Sequence, residues 1–220
     1  MKNSNVRDSR GVRVVIFDLD GTLVNAYEAI VRSMNFTLQT LGYPQAEPWR
    51  ICRAVGWGDT RLVSAFIKEK DITKALRIYR SHHRDSLKKY SKLLPFAKRL
   101  LHYLKRHGFK IAIASNRPAA FTNIIVKQLK IKEFFDYILC ADKLPRGKPD
   151  PEIIITIMKR LKAKNSETLF VGDMTVDIQT ARNAKVKAIA VTTGSSTVSE
   201  IKKARPFKII KNLASLKKLL

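Results

Sequence analysis

Cysteine is scarce in this chain of 220 residues: there are two, Cys52 and Cys140, far apart in sequence. So sparse a supply argues against a disulfide framework and for a reducing compartment, so the cytoplasm is the expected location. Long apolar runs are also missing. None approaches the roughly 18–20 residues that a bilayer crossing needs, which leaves membrane-spanning classes out. The first ten residues, MKNSNVRDSR, lack an apolar centre and read as a loose polar tail, not a secretory leader. Without a leader, the glycosylation pattern at Asn35-Phe36-Thr37 reads as chance. Acidic residues are few, 18 Asp and Glu against 43 Lys and Arg, for a formal charge of +25. Repeats and low-complexity segments are absent, and no basic block carries interleaved aromatics. The cations are spread through stretches such as KEKDITK, KQLKIK, MKRLKAK and SEIKKAR. Two readings of the charge stand: a solvated lysine-rich surface, which the dispersal favours, and a field that draws in polyanions.

What the chain does have is a 45% apolar content, enough for one well-packed domain with a smaller insert. Short apolar runs with little alternation recur at 12–17, 109–114, 136–140, 168–172 and 186–191, and more weakly at 207–210. Such runs suit strands buried on both faces of a parallel sheet. Helical patterns lie between them: PFAKRLLHYLKRHG, opened by Pro95 and closed by Gly108, then RPAAFTNIIVKQLK, PEIIITIMKRLKA and TVDIQTARNAK. The alternation predicts an α/β fold with a doubly wound, Rossmann-like parallel sheet. From Asn25 to about Leu93 the spacing is helical and no strand is expected. Residues 1–24 and 94–220 are therefore expected to form the α/β core, with an all-α subdomain, 25–93, inserted after the first strand.

In open α/β sheets ligands bind at the carboxyl ends of the strands. The first run ends in Asp18, Asp20, Gly21 and Thr22, and the second in Ser115 and Asn116. Lys148 lies in a Gly- and Pro-rich loop beyond the third, and Asp173 and Asp177 follow the fourth. All can converge on one rim. Gathered carboxylates repel one another, and a divalent cation removes the conflict. An oxygen-only set with few protein ligands suits Mg2+, which keeps several waters and binds substrate phosphate. A lysine supplies fixed positive charge, and hydroxyl and backbone N–H groups can hold phosphate oxygens. These parts suit phosphoryl transfer.

DLDGT, a strand-terminal Ser115, GKPDP and GDMTVD, in that order, resemble the haloacid dehalogenase-like hydrolase superfamily across essentially the whole chain. The helical insert, GTLV before it and VGWGDTRLV within it look similar to the phosphoglycolate phosphatase-like branch, whose helical cap closes over the substrate. The resemblance implies that Asp18 is the nucleophile and that Asp20 is the acid/base. Asp18, the backbone carbonyl of Asp20 and Asp173 would hold Mg2+. Asp177 would act through a water of the metal or by orienting Lys148. Ser115 and Lys148 would bind the transferring phosphoryl group, with Thr22 and Asn116 as lesser contacts. Trp57 and Arg61 lie in or after the Gly-rich loop of the insert, and two readings stand for them: packing between the cap helices, or lining the substrate site. An acid at Asp20 suits a phosphomonoester hydrolase or mutase, because an alkoxide leaving group needs a proton. The implied activity is Mg2+-dependent hydrolysis of a small, phosphoglycolate-like metabolite by a monomer or homodimer. Within the same chemistry a pyrophosphatase or sugar phosphomutase remains open. From another class, so does a basic nucleic-acid-binding protein.

Other residues carry plainer readings. His82 and His83 lack ligand partners at useful spacing and are expected in ordinary surface or cap positions. GWG neither follows a strand nor completes a dinucleotide pattern. Cys52 and Cys140 read as packing residues. Asn25 stands where the branch commonly has an acid. Lys185 stands where it usually has a helix-ending glycine, so a left-handed lysine there is expected to cost about 1 kcal/mol.

Overall fold

Val14–Phe17 form the first strand, β1, and all four residues are buried. The pleat sends Val15 and Phe17 into one apolar core and Val14 and Ile16 into another, so β1 has no polar face. The computed structural model describes residues 11–220, and the expected polar tail, 1–10, lies outside them. Beside β1 run β4 (Lys110–Ser115), β5 (Tyr137–Cys140), β6 (Thr168–Gly172), β7 (Lys187–Val191) and β8 (Lys208–Ile210). They form a six-stranded sheet in the order β5-β4-β1-β6-β7-β8, parallel at every pairing. Each strand coincides with one of the six apolar runs, β4 reaching one residue further, to Ser115. Helices α5 (Ala97–Arg106), α6 (Ala119–Gln128), α7 (Glu152–Leu161), α8 (Thr175–Asn183) and α9 (Val198–Ala204) connect and cover the strands. This is the doubly wound, Rossmann-like α/β fold.

Two segments of two residues correct the expectation of no strand between Asn25 and Leu93. Val24–Asn25 (β2) pairs antiparallel with Lys92–Leu93 (β3), where the chain leaves the sheet region and returns. Between them lie α1 (Tyr27–Thr40), α2 (Pro48–Arg53), α3 (Asp59–Ser64) and α4 (Ile72–Tyr90). These helices share an apolar cluster that includes Met34, Leu38, Ile51, Val63 and Tyr79. Along α4 the buried residues Ala75, Tyr79, His83 and Leu87 recur every fourth position and form one stripe.

Two further differences concern helix ends. α5 begins at Ala97, because Phe96 has a left-handed backbone (φ 68°) that interrupts the helix expected to open at Pro95. α9 was not among the expected helices, though its start carries a capping box. Thr197 Oγ1 accepts from the Glu200 N–H at 3.2 Å, and the Glu200 carboxylate accepts from the Thr197 N–H at 2.7 Å.

Candidate active site

β1 lies between β4 and β6, whose connections leave the sheet in opposite directions. A crevice opens at their carboxyl ends. Asp18 caps the end of β1, tied down by its N–H to the Val171 carbonyl at 2.8 Å. Gly21 (φ 78°) then turns the chain so closely that a Cβ there would overlap the Asp173 carboxylate. Asp173 and Asp177 follow β6, and Lys148 comes from the loop before α7.

Lys148 is only 5% exposed. Its Nζ donates to Asp18 Oδ1 at 2.5 Å and to Asp177 Oδ1 at 2.6 Å. Burial opposes its charge, but Asp177 and Asp18 outweigh that, so its pKa lies above the ordinary lysine value. Burial pushes Asp18 up to about 7; Lys148 works against the rise, and Asp177 adds to it. Asp173 is raised well above the usual carboxylate range by burial, then by repulsion from Asp177 and Asp18. It accepts from Thr22 Oγ1 at 2.9 Å and from the Ser195 N–H at 3.2 Å. Asp177 Oδ2 accepts from the Met174 N–H at 3.0 Å, near the start of α8, where the helix dipole favours negative charge.

Oxygens of Asp18, Asp173 and Asp177 lie within 4.8 Å of one another, all buried. Three acids facing one lysine leave an excess of buried negative charge. An all-oxygen donor set of this kind could hold a hard divalent cation. Two buried hydroxyls, those of Tyr27 and Ser195, lie near Asp173 and make no bond to the acids, which fits a partly hydrated ion there.

Asp18, Asp20, Ser115 and Lys148 line one inner pocket of about 50 Å3. Ser115 Oγ accepts from the Arg117 N–H at 3.1 Å, which leaves its own proton available. Asp20 stands apart from the three-acid group. Its carboxylate accepts from Arg117 Nε at 2.7 Å and from Nη2 at 2.9 Å.

Of the other expected contacts, Asn116 also lines the inner pocket, whereas Thr22, Trp57 and Arg61 do not. Thr22 is occupied with Asp173. The Asn116 side chain is taken up by backbone, donating to the carbonyls of Gly56 and Lys148 and accepting from the Lys148 N–H at 2.7 Å. It therefore ties two loops together. Trp57 and Arg61 line not the inner pocket but an adjoining outer cleft of about 920 Å3, where the Arg61 guanidinium lies 5.4 Å from the Trp57 ring centre. The two cavities share Gly58, Asp59, Asn116, Pro118, Phe121 and Lys148.

His83 corrects the expectation of an ordinary surface or cap position. It is fully buried on the α4 stripe, with Nε2 2.8 Å from Arg117 Nη1. His82 is half-buried and stacks on Phe36 at 4.2 Å. Arg117 was missed. The only sequence signal was its place directly after the strand-terminal Ser115-Asn116. Cys52 and Cys140 are both free, and Lys185 takes the left-handed conformation (φ 56°).

Fold and site together define an α/β enzyme with an acid–lysine centre at the strand ends. A family model described as haloacid dehalogenase-like hydrolase matches residues 15–191, and the chain belongs to that family. Its similarities point to the phosphoglycolate phosphatase-like branch. The chain is 30% identical to the phosphoglycolate phosphatase of Pseudomonas fluorescens, over 93% of its own length and 78% of the relative's. It is 28% identical to that of Aquifex aeolicus, over 91% and 96%. The crystal structure of a predicted phosphoglycolate phosphatase from Haemophilus somnus superposes with a TM-score of 0.90 at 26% identity, covering 95% of this chain and 98% of that one. No helix among the described residues is long and apolar enough to cross a membrane.

Proposed function

We propose that the protein is a Mg2+-dependent phosphatase that hydrolyses a small phosphorylated metabolite, of the phosphoglycolate kind, through an aspartyl-phosphate on Asp18. The observation that carries the reading is the meeting of Asp18, Asp20, Ser115 and Lys148 around one small pocket. Asp18 Oδ attacks phosphorus as the ester P–O bond breaks, and Asp20 passes a proton to the departing alkoxide. In the second half, water attacks phosphorus, gives its proton to Asp20, and the Asp18–phosphorus bond breaks to release phosphate. Lys148 orients Asp18 and places positive charge beside the phosphoryl oxygens, and the Ser115 hydroxyl can donate to one of them. Mg2+, held by the carboxylates of Asp18 and Asp173 and the backbone carbonyl of Asp20, with Asp177 alongside, would offset the acids' repulsion and attract the phosphoryl oxygens.

On this reading residues 25–93 are a cap over a core of 1–24 and 94–220. Val55, Gly56, Tyr79 and His83 from the inserted region form part of the pocket wall, which supports a role in excluding water. The outer cleft would receive the leaving group, with Trp57 and Arg61 beside it. Asp18→Asn should abolish phosphate release from a generic aryl phosphate, and removal of Mg2+ by chelation should do the same. Full activity in either case contradicts the mechanism.

A further inference from the structure

Arg117 and His83 have no part in the steps above, yet both are buried at the pocket. A guanidinium only donates hydrogen bonds. Arg117 spends Nε and Nη2 on Asp20, and Nη1 faces His83 Nε2 at 2.8 Å. His83 Nε2 must therefore be the acceptor, and the ring proton sits on Nδ1, 3.0 Å from Ser33 Oγ. Ser33 Oγ in turn donates to the Ala29 carbonyl at 2.8 Å. Burial, then the adjacent Arg117 cation, pushes the His83 pKa down to about 2, in keeping with a neutral acceptor.

The chain of contacts crosses between two parts of the fold. Asp20 and Arg117 belong to strand ends of the sheet. His83 and Ser33 belong to α4 and α1. We propose that Arg117 is a positioning residue for Asp20, itself set by His83, so that the acid/base carboxyl is aligned when the inserted helices are seated on the sheet. Both Asp20 oxygens contact Arg117, so proton transfer at one of them requires one contact to open. The remaining contact keeps the carboxyl in place, and the His83 contact keeps the guanidinium from following. The inference rests on the phosphatase reading and extends it to the coupling between acid and inserted helices.

The test compares kcat/KM, with Mg2+, on two esters: phosphoglycolate, whose alkoxide needs a proton to leave, and p-nitrophenyl phosphate, whose leaving group does not. This ratio reports only steps up to departure of the leaving group, so it isolates the acid role of Asp20. Arg117→Met should lose about 10–100-fold on phosphoglycolate and change by less than about threefold on the aryl ester, which also serves as the folding control. Arg117→Lys, which keeps the charge without the fork, should fall on the same side. His83→Leu should repeat the selective loss in weaker form. His83→Gln, whose carbonyl oxygen can accept from Nη1, should retain more activity than His83→Leu. Equal losses on both esters, or no loss on phosphoglycolate, overturn the proposal. A wild-type enzyme inactive on both esters overturns the phosphatase reading, and this inference with it.

Discussion

Lys148 holds Asp18 and Asp177 at 2.5 and 2.6 Å, so one buried cation serves two buried acids while Asp173 lies close by with none. The consequence is a proton-retaining site. Asp18 is pushed to about 7 by burial, against the pull of Lys148, and Asp173 is raised by burial and repulsion. The native state then binds more protons than the unfolded chain above the ordinary aspartate range, up to about pH 7 for Asp18. These two groups therefore make the metal-free protein lose stability as pH rises through that window. A divalent cation reverses the sign, because it binds the ionised acids and displaces their protons. The rise in melting temperature on adding Mg2+ should therefore be larger at pH 8 than at pH 5.5, and an increment independent of pH counts against this charge balance. At this scale Asp18, Asp20, Ser115, Lys148, Asp173 and Asp177 were legible because each closes or follows a strand. Arg117 and His83 were not. Their role is a contact between positions 34 residues apart, and no local periodicity encodes such a pairing. The burial of His83 did have a signal, since it lies four residues from both Tyr79 and Leu87 on the apolar stripe of α4.

Several elements end in the same unusual way. Lys130, Lys162, Lys185 and Arg205 have positive φ values at or just beyond the ends of α6, α7, α8 and α9, where glycine would be the unstrained choice. A cation at a helix C-terminus recovers part of that cost through the dipole. Lys185 is exposed, and the turn around it is closed by the Val186 N–H to the Ala181 carbonyl at 2.8 Å. Lys185→Gly should stabilise the fold by about 1 kcal/mol in urea unfolding, with activity unchanged. A loss of stability would show that the charge outweighs the strain. The principal strands were readable as apolar runs because both faces of the sheet are covered. β2 and β3 were not, since a two-residue pair where the chain leaves the sheet region and returns has no room for an apolar pattern. The left-handed Phe96 is likewise set by how the chain enters α5 rather than by residue type, whereas the capping box of α9 was present in the sequence as Thr197-Val198-Ser199-Glu200.

For the whole molecule the formal charge of +25 sets how anions approach. Arg61 and Arg84 both face the outer cleft, and no ion pair found among the described residues uses either. If the field steers substrate, kcat/KM for a phosphate ester should fall as ionic strength rises and the screening length shrinks from about 30 Å at 0.01 M towards about 8 Å at 0.15 M, with kcat nearly constant. A flat profile would leave the lysines as a solvated surface only. The proposed mechanism turns on covalent phosphorylation of Asp18. Its most direct measurement is mass analysis of peptides from enzyme quenched in acid during the first turnover with Mg2+. A phosphoryl adduct is expected on the peptide that contains Asp18, and none in Asp18→Asn. Phosphate release with no adduct on that peptide, or with the adduct on another residue, would contradict it.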